Sequence, residues 1–245
     1  PEVVGIAVHI WNRELSLALA AAIKQVLPTT RVVAGGPEVT YAAQSILAAN
    51  PAIDAIVMGE GDQLFPQLLF DLAERGAFVA RQGLALRTGD EVSLCGAPLE
   101  VANLDDLPFP YQEAAENEWR DRVLYYETSR GCPFRCAYCL SAVSRSVRRR
   151  SLTRVLEELA IIIKMRPRQV KFVDRTFNLD EAYFWPILAF LAEQDTELEF
   201  HFELAVERLS ESFLTWLEGV PSGRFRFEVG VQTITPDALQ AINRQ

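Results

Sequence analysis

With 245 residues, about half of them hydrophobic, the chain is long enough for one large domain or two ordinary ones, each with a packed core. Its 33 acidic against 24 basic residues, a formal charge of −9, argue against a nucleic-acid partner, whose binding surfaces are usually net basic. No apolar run reaches the ~18–20 residues needed to cross a bilayer, and the first residues hold neither the basic region nor the cleavage site of a secretory signal. Val3–Ile10 is a continuous apolar run, the pattern of a strand buried on both faces. Asn12 can cap a helix carried by Leu15–Val26, which Pro28 ends. A second strand, Arg31–Ala34, closes on Gly35-Gly36, and a helix covers Tyr41–Ala49. A third strand, Ala55–Met58, ends in Gly59-Glu60-Gly61 before a helix over Phe65–Glu74. Strands alternating with helices predict a parallel sheet with helices on its faces.

The pattern then changes. Gly83–Arg87 and Glu91–Leu94 flank Thr88-Gly89-Asp90 and read as a hairpin. Pro108 and Pro110 in the following Asn103–Pro110 stretch favour an extended connection. A second βα series follows: strand Val123–Thr128, helix Leu152–Met165, strand Gln169–Val173 with Asp174 at its end, and helix Leu179–Glu193, which Pro186 must kink or shorten. Strand Glu197–Glu203, helix Ser212–Glu218, strand Phe225–Val231 and helix Pro236–Asn243, with Thr235 as its cap, complete the series. Four βα units in a row predict a partial (β/α) barrel. The expected organisation is an α/β domain over 1–79, a hairpin and linker over 80–119, and the partial barrel over 120–245. The chain opens without an initiator Met and stops within a helical pattern, as expected of an internal piece of a longer protein.

Three of the four cysteines fall in Gly131-Cys132-Pro133-Phe134-Arg135-Cys136-Ala137-Tyr138-Cys139, just after the first strand of the second series. The clustering fits a reducing cytoplasm and a metal or cluster site better than a disulfide scaffold. Three thiolates in a C-x3-C-x2-C spacing can ligate three irons of a cubane cluster, leaving a fourth iron open to a small chelating molecule. A structural zinc is the alternative. It needs a fourth ligand, and the remaining Cys and His residues, Cys95, His9 and His201, are all distant in sequence.

This loop resembles the signature of the radical SAM superfamily. The resemblance implies a [4Fe–4S] cluster on Cys132, Cys136 and Cys139. It also implies S-adenosylmethionine (SAM) on the open iron, with Tyr138 beside the adenine. Asp174, Glu203, Arg208, Glu228 and Gln232, at or after the ends of the later strands, correspond to places where the family contacts SAM, although the glycine-rich segment usual near Asp174 is absent. A strand-end Asp or Glu can equally cap a helix.

Ahead of it, Gly35-Gly36-Pro37-Glu38-Val39-Thr40 and Gly59-Glu60-Gly61-Asp62 sit at the ends of consecutive strands, where glycines admit a ligand to the backbone. Tight turns explain such glycines equally well. Two such loops, then a leucine–proline linker, then C-x3-C-x2-C, resemble the cobalamin-binding class of radical SAM proteins. This implies a Rossmann-like domain, here without its opening βα unit, in which Gly35, Gly36, Thr40, Gly59, Glu60 and Gly61 hold cobalamin facing the SAM site. The D-x-H-x-x-G motif that supplies a lower cobalt ligand in some cobalamin proteins is absent, and His9 is not assigned to cobalt.

The expected activity is reductive cleavage of SAM to a 5′-deoxyadenosyl radical and methyl transfer to an unactivated carbon of a small molecule. A flavodoxin or ferredoxin would supply electrons. Radical cyclisation or rearrangement, a radical SAM enzyme without cobalamin, and a non-catalytic cobalamin or cluster sensor remain alternatives. The basic run Arg145, Arg148, Arg149 and Arg150 reads either as a grip on an anionic group or as a solvated helix start.

Overall fold

The computed structural model describes residues 1–112, 118–144 and 146–244. They form two units, Pro1–Ala102 and Asn103–Gln245. The first contains β1 (Val3–Ala7), α1 (Arg13–Val26), β2 (Arg31–Gly35), α2 (Pro37–Thr40), α3 (Ala43–Ala49), β3 (Ala55–Val57), α4 (Leu64–Arg75), β4 (Leu84–Thr88) and β5 (Glu91–Cys95). The sheet order is β1-β2-β3-β4-β5, with β1, β2 and β3 parallel. Alternation divides the strand residues between two cores. Val32, Ala34 and Ile56 pack with Ala20, Ile46 and Leu47 from α1 and α3. Val33, Ala55 and Val57 pack with Leu64 and Leu68 from α4. The sheet is therefore covered on both faces, which explains its unbroken apolar strands.

The hairpin belongs to this sheet and does not separate the two units. β4 pairs antiparallel with β3, Ile56 facing Ala85, and β5 completes the edge. The chain stays bound beyond it: Val101 is buried, and its N–H donates to Glu60 Oε2 at 2.8 Å. The first unit thus runs to Ala102 and takes in the hairpin expected as part of a linker over 80–119, and the division falls at the head of the Asn103–Pro110 connection. The helix expected over Tyr41–Ala49 starts two residues later, as α3, and the separate short turn of α2 precedes it.

The second unit contains β6 (Val123–Tyr126), β7 (Ser129–Arg130), β8 (Arg148–Arg149), α5 (Leu152–Met165), β9 (Gln169–Phe172), α6 (Glu181–Glu193), β10 (Glu199–Leu204), α7 (Glu211–Glu218), β11 (Phe225–Val229) and α8 (Pro236–Ala241). Its main sheet runs β11-β10-β9-β6, all parallel and sequential, the order of consecutive barrel staves. Pro186 lies inside α6. The helix starts at Glu181, two residues later than expected, with Asp180 capping the Ala182 N–H at 3.1 Å.

Side-chain alternation sorts this sheet into an apolar and a polar face. Phe172, Phe200 and Phe202 are fully buried with Leu159, Ile187 and Leu191 of α5 and α6. Each such burial contributes about 1.5–3 kcal/mol. Lys171, His201, Glu203 and Glu228 alternate with these residues and their neighbours onto the other face. There Glu228 meets His201 Nε2 at 3.3 Å and Lys171 Nζ at 3.5 Å. No helix among the described residues is long and apolar enough to cross a membrane.

Candidate functional site

The cysteine segment is an excursion from a small hairpin. β7 and β8 pair antiparallel, Ser129 opposite Arg149 and Arg130 opposite Arg148, and the chain between them carries the thiols. Gly131 opens this excursion at φ +98°, and a Cβ there would lie 1.9 Å from the Ser146 carbonyl oxygen. No L side chain fits that position.

Asp174 anchors the root of the loop from the end of β9. It accepts from the Thr128 N–H at 3.0 Å, the Thr128 hydroxyl at 2.5 Å and the Ser129 hydroxyl at 2.6 Å. Burial raises its carboxyl pKa, against the pull of these three donors. The expectation that Asp174 meets SAM is not matched by its position: at 1% exposure it lies behind the loop and does not line the pocket. Across the hairpin, the Tyr183 hydroxyl lies 2.9 Å from the Arg150 carbonyl oxygen and 3.2 Å from that of Thr128.

Cys132, Cys136 and Cys139 line one pocket of about 260 Å³ with Phe134, Tyr138, Glu203, Glu228 and Gln232. Four residues proposed from sequence therefore meet the three thiols in one place, Tyr138 through its position in the loop and Glu203, Glu228 and Gln232 through the ends of β10 and β11. Glu203 and Glu228 are direct partners in the β10–β11 register, so two carboxylates stand side by side at the rim. Gln232 takes φ +61°, a left-handed backbone rare for a residue with a Cβ.

The pocket is lined by neither a fourth cysteine nor a histidine among the described residues. No three His, Cys, Asp or Glu side chains there converge closely enough to hold a single metal ion. Three thiols lining one pocket are a donor set whose chemistry fits three irons of a cubane cluster. Within this unit the one histidine, His201, faces Glu228 at 3.3 Å and does not line the pocket.

Arg208 is displaced from this group. It lines an adjoining cavity with Arg149, Asn178 and Asp180, its guanidinium 5.9 Å from the Phe134 ring centre; Phe134 and Glu207 border both spaces. Of the basic run, Arg148 and Arg149 form β8 and Arg150 precedes the helix α5. Arg149 pairs with Asp180 at 2.9 Å and lies over the Tyr183 ring, and buried Arg150 meets Glu158 at 3.5 Å. Arg145 lies outside the described residues.

Several lining residues escaped the sequence reading. Arg244 bridges Glu207 Oε1 at 2.9 Å and the Tyr138 hydroxyl at 3.0 Å, and the Ala137 N–H donates to the Ile242 carbonyl at 2.9 Å. The turn after α8 thus closes onto the cysteine loop. Thr176 stands 3.7 Å from Cys132 Sγ. Its position two residues beyond Asp174, at a strand end, was the available signal.

In the first unit, Gly35, Gly36, Gly59 and Gly61 line a largely apolar pocket of about 360 Å³ at the C-terminal ends of β1, β2 and β3, with Ile6, Ala7, Val57 and Phe65. Gly36 is needed by the backbone, at φ +106° with a Cβ position 2.5 Å from the Val8 carbonyl oxygen. Gly35 and Gly61 are different. A Cβ there would meet protein only at 3.7 and 3.6 Å, so their missing side chains leave open a cradle suited to a large cofactor. Thr40 and Glu60 do not line it. The Thr40 hydroxyl donates to the Gly36 carbonyl at 2.9 Å and accepts from the Gly59 N–H at 3.2 Å, binding the two glycine loops together. Glu60 holds Val101. His9 stacks on Trp11 with ring centres 4.6 Å apart and stands outside the lining.

Comparison with known proteins matches residues 1–69 to the B12 binding domain and residues 126–245 to the radical SAM superfamily. An uncharacterized methyltransferase, PH0819 of Pyrococcus horikoshii, is 26% identical over all of this chain and 54% of its own length. The cobalamin-dependent radical SAM methyltransferase TokK of Streptomyces tokunonensis is 27% identical over 73% of this chain and 28% of its own. The chain thus spans about half, or less, of these relatives. Among solved structures, the cobalamin-dependent SAM radical enzyme OxsB, with aqua-cobalamin and SAM bound, superposes with a TM-score of 0.77 at 18% identity, over 99% of this chain and 37% of that one.

Proposed function

As the chain belongs to the radical SAM superfamily, with a B12-binding domain preceding its radical SAM domain, we propose that it forms the cofactor-binding part of a cobalamin-dependent radical SAM methyltransferase. The reaction is methyl transfer to an unactivated carbon of a small molecule, with a flavodoxin or ferredoxin as electron donor in the cytoplasm. The observation that carries this reading is the one pocket where three cysteine thiols meet the polar ends of β10 and β11, with no further Cys or His in its lining among the described residues.

In this reading Cys132, Cys136 and Cys139 hold a [4Fe–4S] cluster and leave one iron for the amino and carboxylate groups of SAM. When bound, the reduced cluster supplies the electron that splits SAM into methionine and a 5′-deoxyadenosyl radical, and cobalamin supplies the methyl group. Glu203 and Glu228 accept hydrogen bonds from the SAM amino group or ribose hydroxyls, and Gln232 offers both a donor and an acceptor. Tyr138, held through its hydroxyl by Arg244, presents its ring to the adenine. Phe134 narrows the entrance and limits water. In the first unit, Gly35, Gly36, Gly59 and Gly61 bring bare backbone up to the cobalamin, while Thr40 fixes the spacing of their loops.

The test is anaerobic incubation of the full-length, iron-reconstituted protein with SAM and dithionite. Wild type is expected to release 5′-deoxyadenosine, and Cys136→Ala to release none. Equal release by the two proteins sinks the cluster assignment. Corrinoid absorbance in the purified protein, and label passing from methyl-labelled SAM to the corrinoid, test the methyl-transfer half separately.

A further inference from the structure

The three cysteines are not equivalent. Cys132 is 8% exposed, whereas Cys139 is exposed and Cys136 is intermediate. Among the described residues, only Cys132 has a side-chain hydroxyl against its sulfur: Thr176 Oγ1 lies 3.7 Å from its Sγ, within hydrogen-bond range for sulfur, and Thr176 is itself only 6% exposed. The hydroxyl also lies 2.7 Å from the carbonyl oxygen of Arg175. With a free thiol both contacts are satisfied at once, the S–H pointing to Oγ1 and the O–H to the carbonyl.

A metal-bound sulfur changes that accounting. The cysteine has lost its proton and is only an acceptor, so the one hydrogen available along the Oγ1–Sγ line is that of Thr176. Leaving the hydroxyl on the Arg175 carbonyl would set an oxygen lone pair against thiolate charge in a nearly dry place. Turning it toward the sulfur exchanges that repulsion for a charge-assisted hydrogen bond. The segment bearing Thr176 is held for the purpose. Two residues earlier Asp174 is fixed by three hydrogen bonds to the loop root, and two residues later Asn178 donates to the Ala205 carbonyl at 3.0 Å and accepts from the Ala205 N–H at 2.8 Å.

We propose that Thr176 is a positioning residue that donates a hydrogen bond to the Cys132 sulfur and thereby raises the reduction potential of the cluster. Reduction adds negative charge that spreads onto the thiolate sulfurs. A donor aimed at one of them stabilises the reduced form more than the oxidised form, and hydrogen bonds to the sulfurs are an established control of cluster potential. Such a donor makes the cluster easier for its electron donor to reduce and, by the same amount, a milder reductant of SAM. The inference rests on the cluster reading of the preceding subsection.

The experiment is an anaerobic, EPR-monitored redox titration of the full-length protein after iron and sulfide reconstitution, comparing wild type with Thr176→Val and Thr176→Ser. Thr176→Val, close in shape but without the hydroxyl, is expected to bind as much iron as wild type and to show a more negative midpoint potential. Thr176→Ser is expected to return it toward the wild-type value, a rescue that a packing role for the threonine methyl would not give. Thr176→Ala carries the same comparison where the valine variant does not fold. Equal midpoints in iron-replete wild type and hydroxyl-free variants overturn the inference alone. Failure of wild type to take up iron and sulfide overturns the cluster reading itself, and the inference with it.

Discussion

At the scale of single residues, the most informative position is one whose role differs from the sequence expectation. Asp174 sits at a strand end in the region of the site, the usual place for a ligand contact in a barrel. Its two oxygens are instead occupied by Thr128 and Ser129, three donors that have no alternative partner once the carboxylate is removed. Asp174→Ala is therefore expected to destabilise the second unit, by about 1–3 kcal/mol for each donor left unpaired. It should also loosen the loop root enough to lower iron uptake. Asp174→Asn keeps one acceptor and turns an amide donor toward existing donors, so its loss should be smaller but real. Urea unfolding and iron content of the three proteins check this, and wild-type stability in both variants would refute the anchoring role. The cysteine triad was legible because spacing alone limits what three thiols can do. The anchoring contacts of Asp174 were not legible, because sequence shows that a carboxylate lies near a site but not which way it turns. Arg244 was invisible because its meaning depends on the turn after α8 folding back some hundred residues onto Tyr138.

At the scale of elements, the apolar runs identified the parallel strands of both units, since burial on one or both faces leaves a direct mark in composition. Partnership leaves no such mark. Nothing in Gly83–Leu94 tells a hairpin that extends a sheet from one that stands alone, and β8 is two arginines, whose strand state comes from pairing with Ser129 and Arg130. The connection into β4 is held by an ion pair that sequence patterning does not reveal. Arg81 grips Asp71 of α4 through two hydrogen bonds, at 2.9 and 2.7 Å. Hydrogen bonding from Arg81 lowers the Asp71 carboxyl pKa, although burial opposes it. A carboxylate with a lowered folded pKa contributes stability that is present above the unfolded value and lost as pH falls through the folded one. Asp71→Asn should thus unfold at lower urea than wild type, by a margin that stays constant above about pH 5, narrows as pH falls past about 4 and is gone only below the lowered folded pKa. A margin independent of pH would show that the pair acts through packing alone.

At the scale of the whole molecule, the chain carries two sites of opposite character in two units with separate hydrophobic cores. One is a polar pocket ringed by thiols and carboxylates. The other is an apolar cradle in which the absence of side chains is the functional feature. Because each site rests on its own core, damage to one should leave the other loaded. Gly35 and Gly61 allow this to be tested without straining the backbone, since neither has a positive φ and a Cβ at either makes only ordinary contacts. Gly35→Leu and Gly61→Leu should fill the cradle, strip corrinoid absorbance from the purified protein and abolish labelling of the corrinoid from methyl-labelled SAM. Iron content and reductive release of 5′-deoxyadenosine should fall less than twofold. Cys136→Ala should do the reverse, retaining corrinoid while losing iron and deoxyadenosine release. If filling the cradle removed iron as fully as corrinoid, the two sites would be coupled, and the independence expected from their separate cores would be wrong.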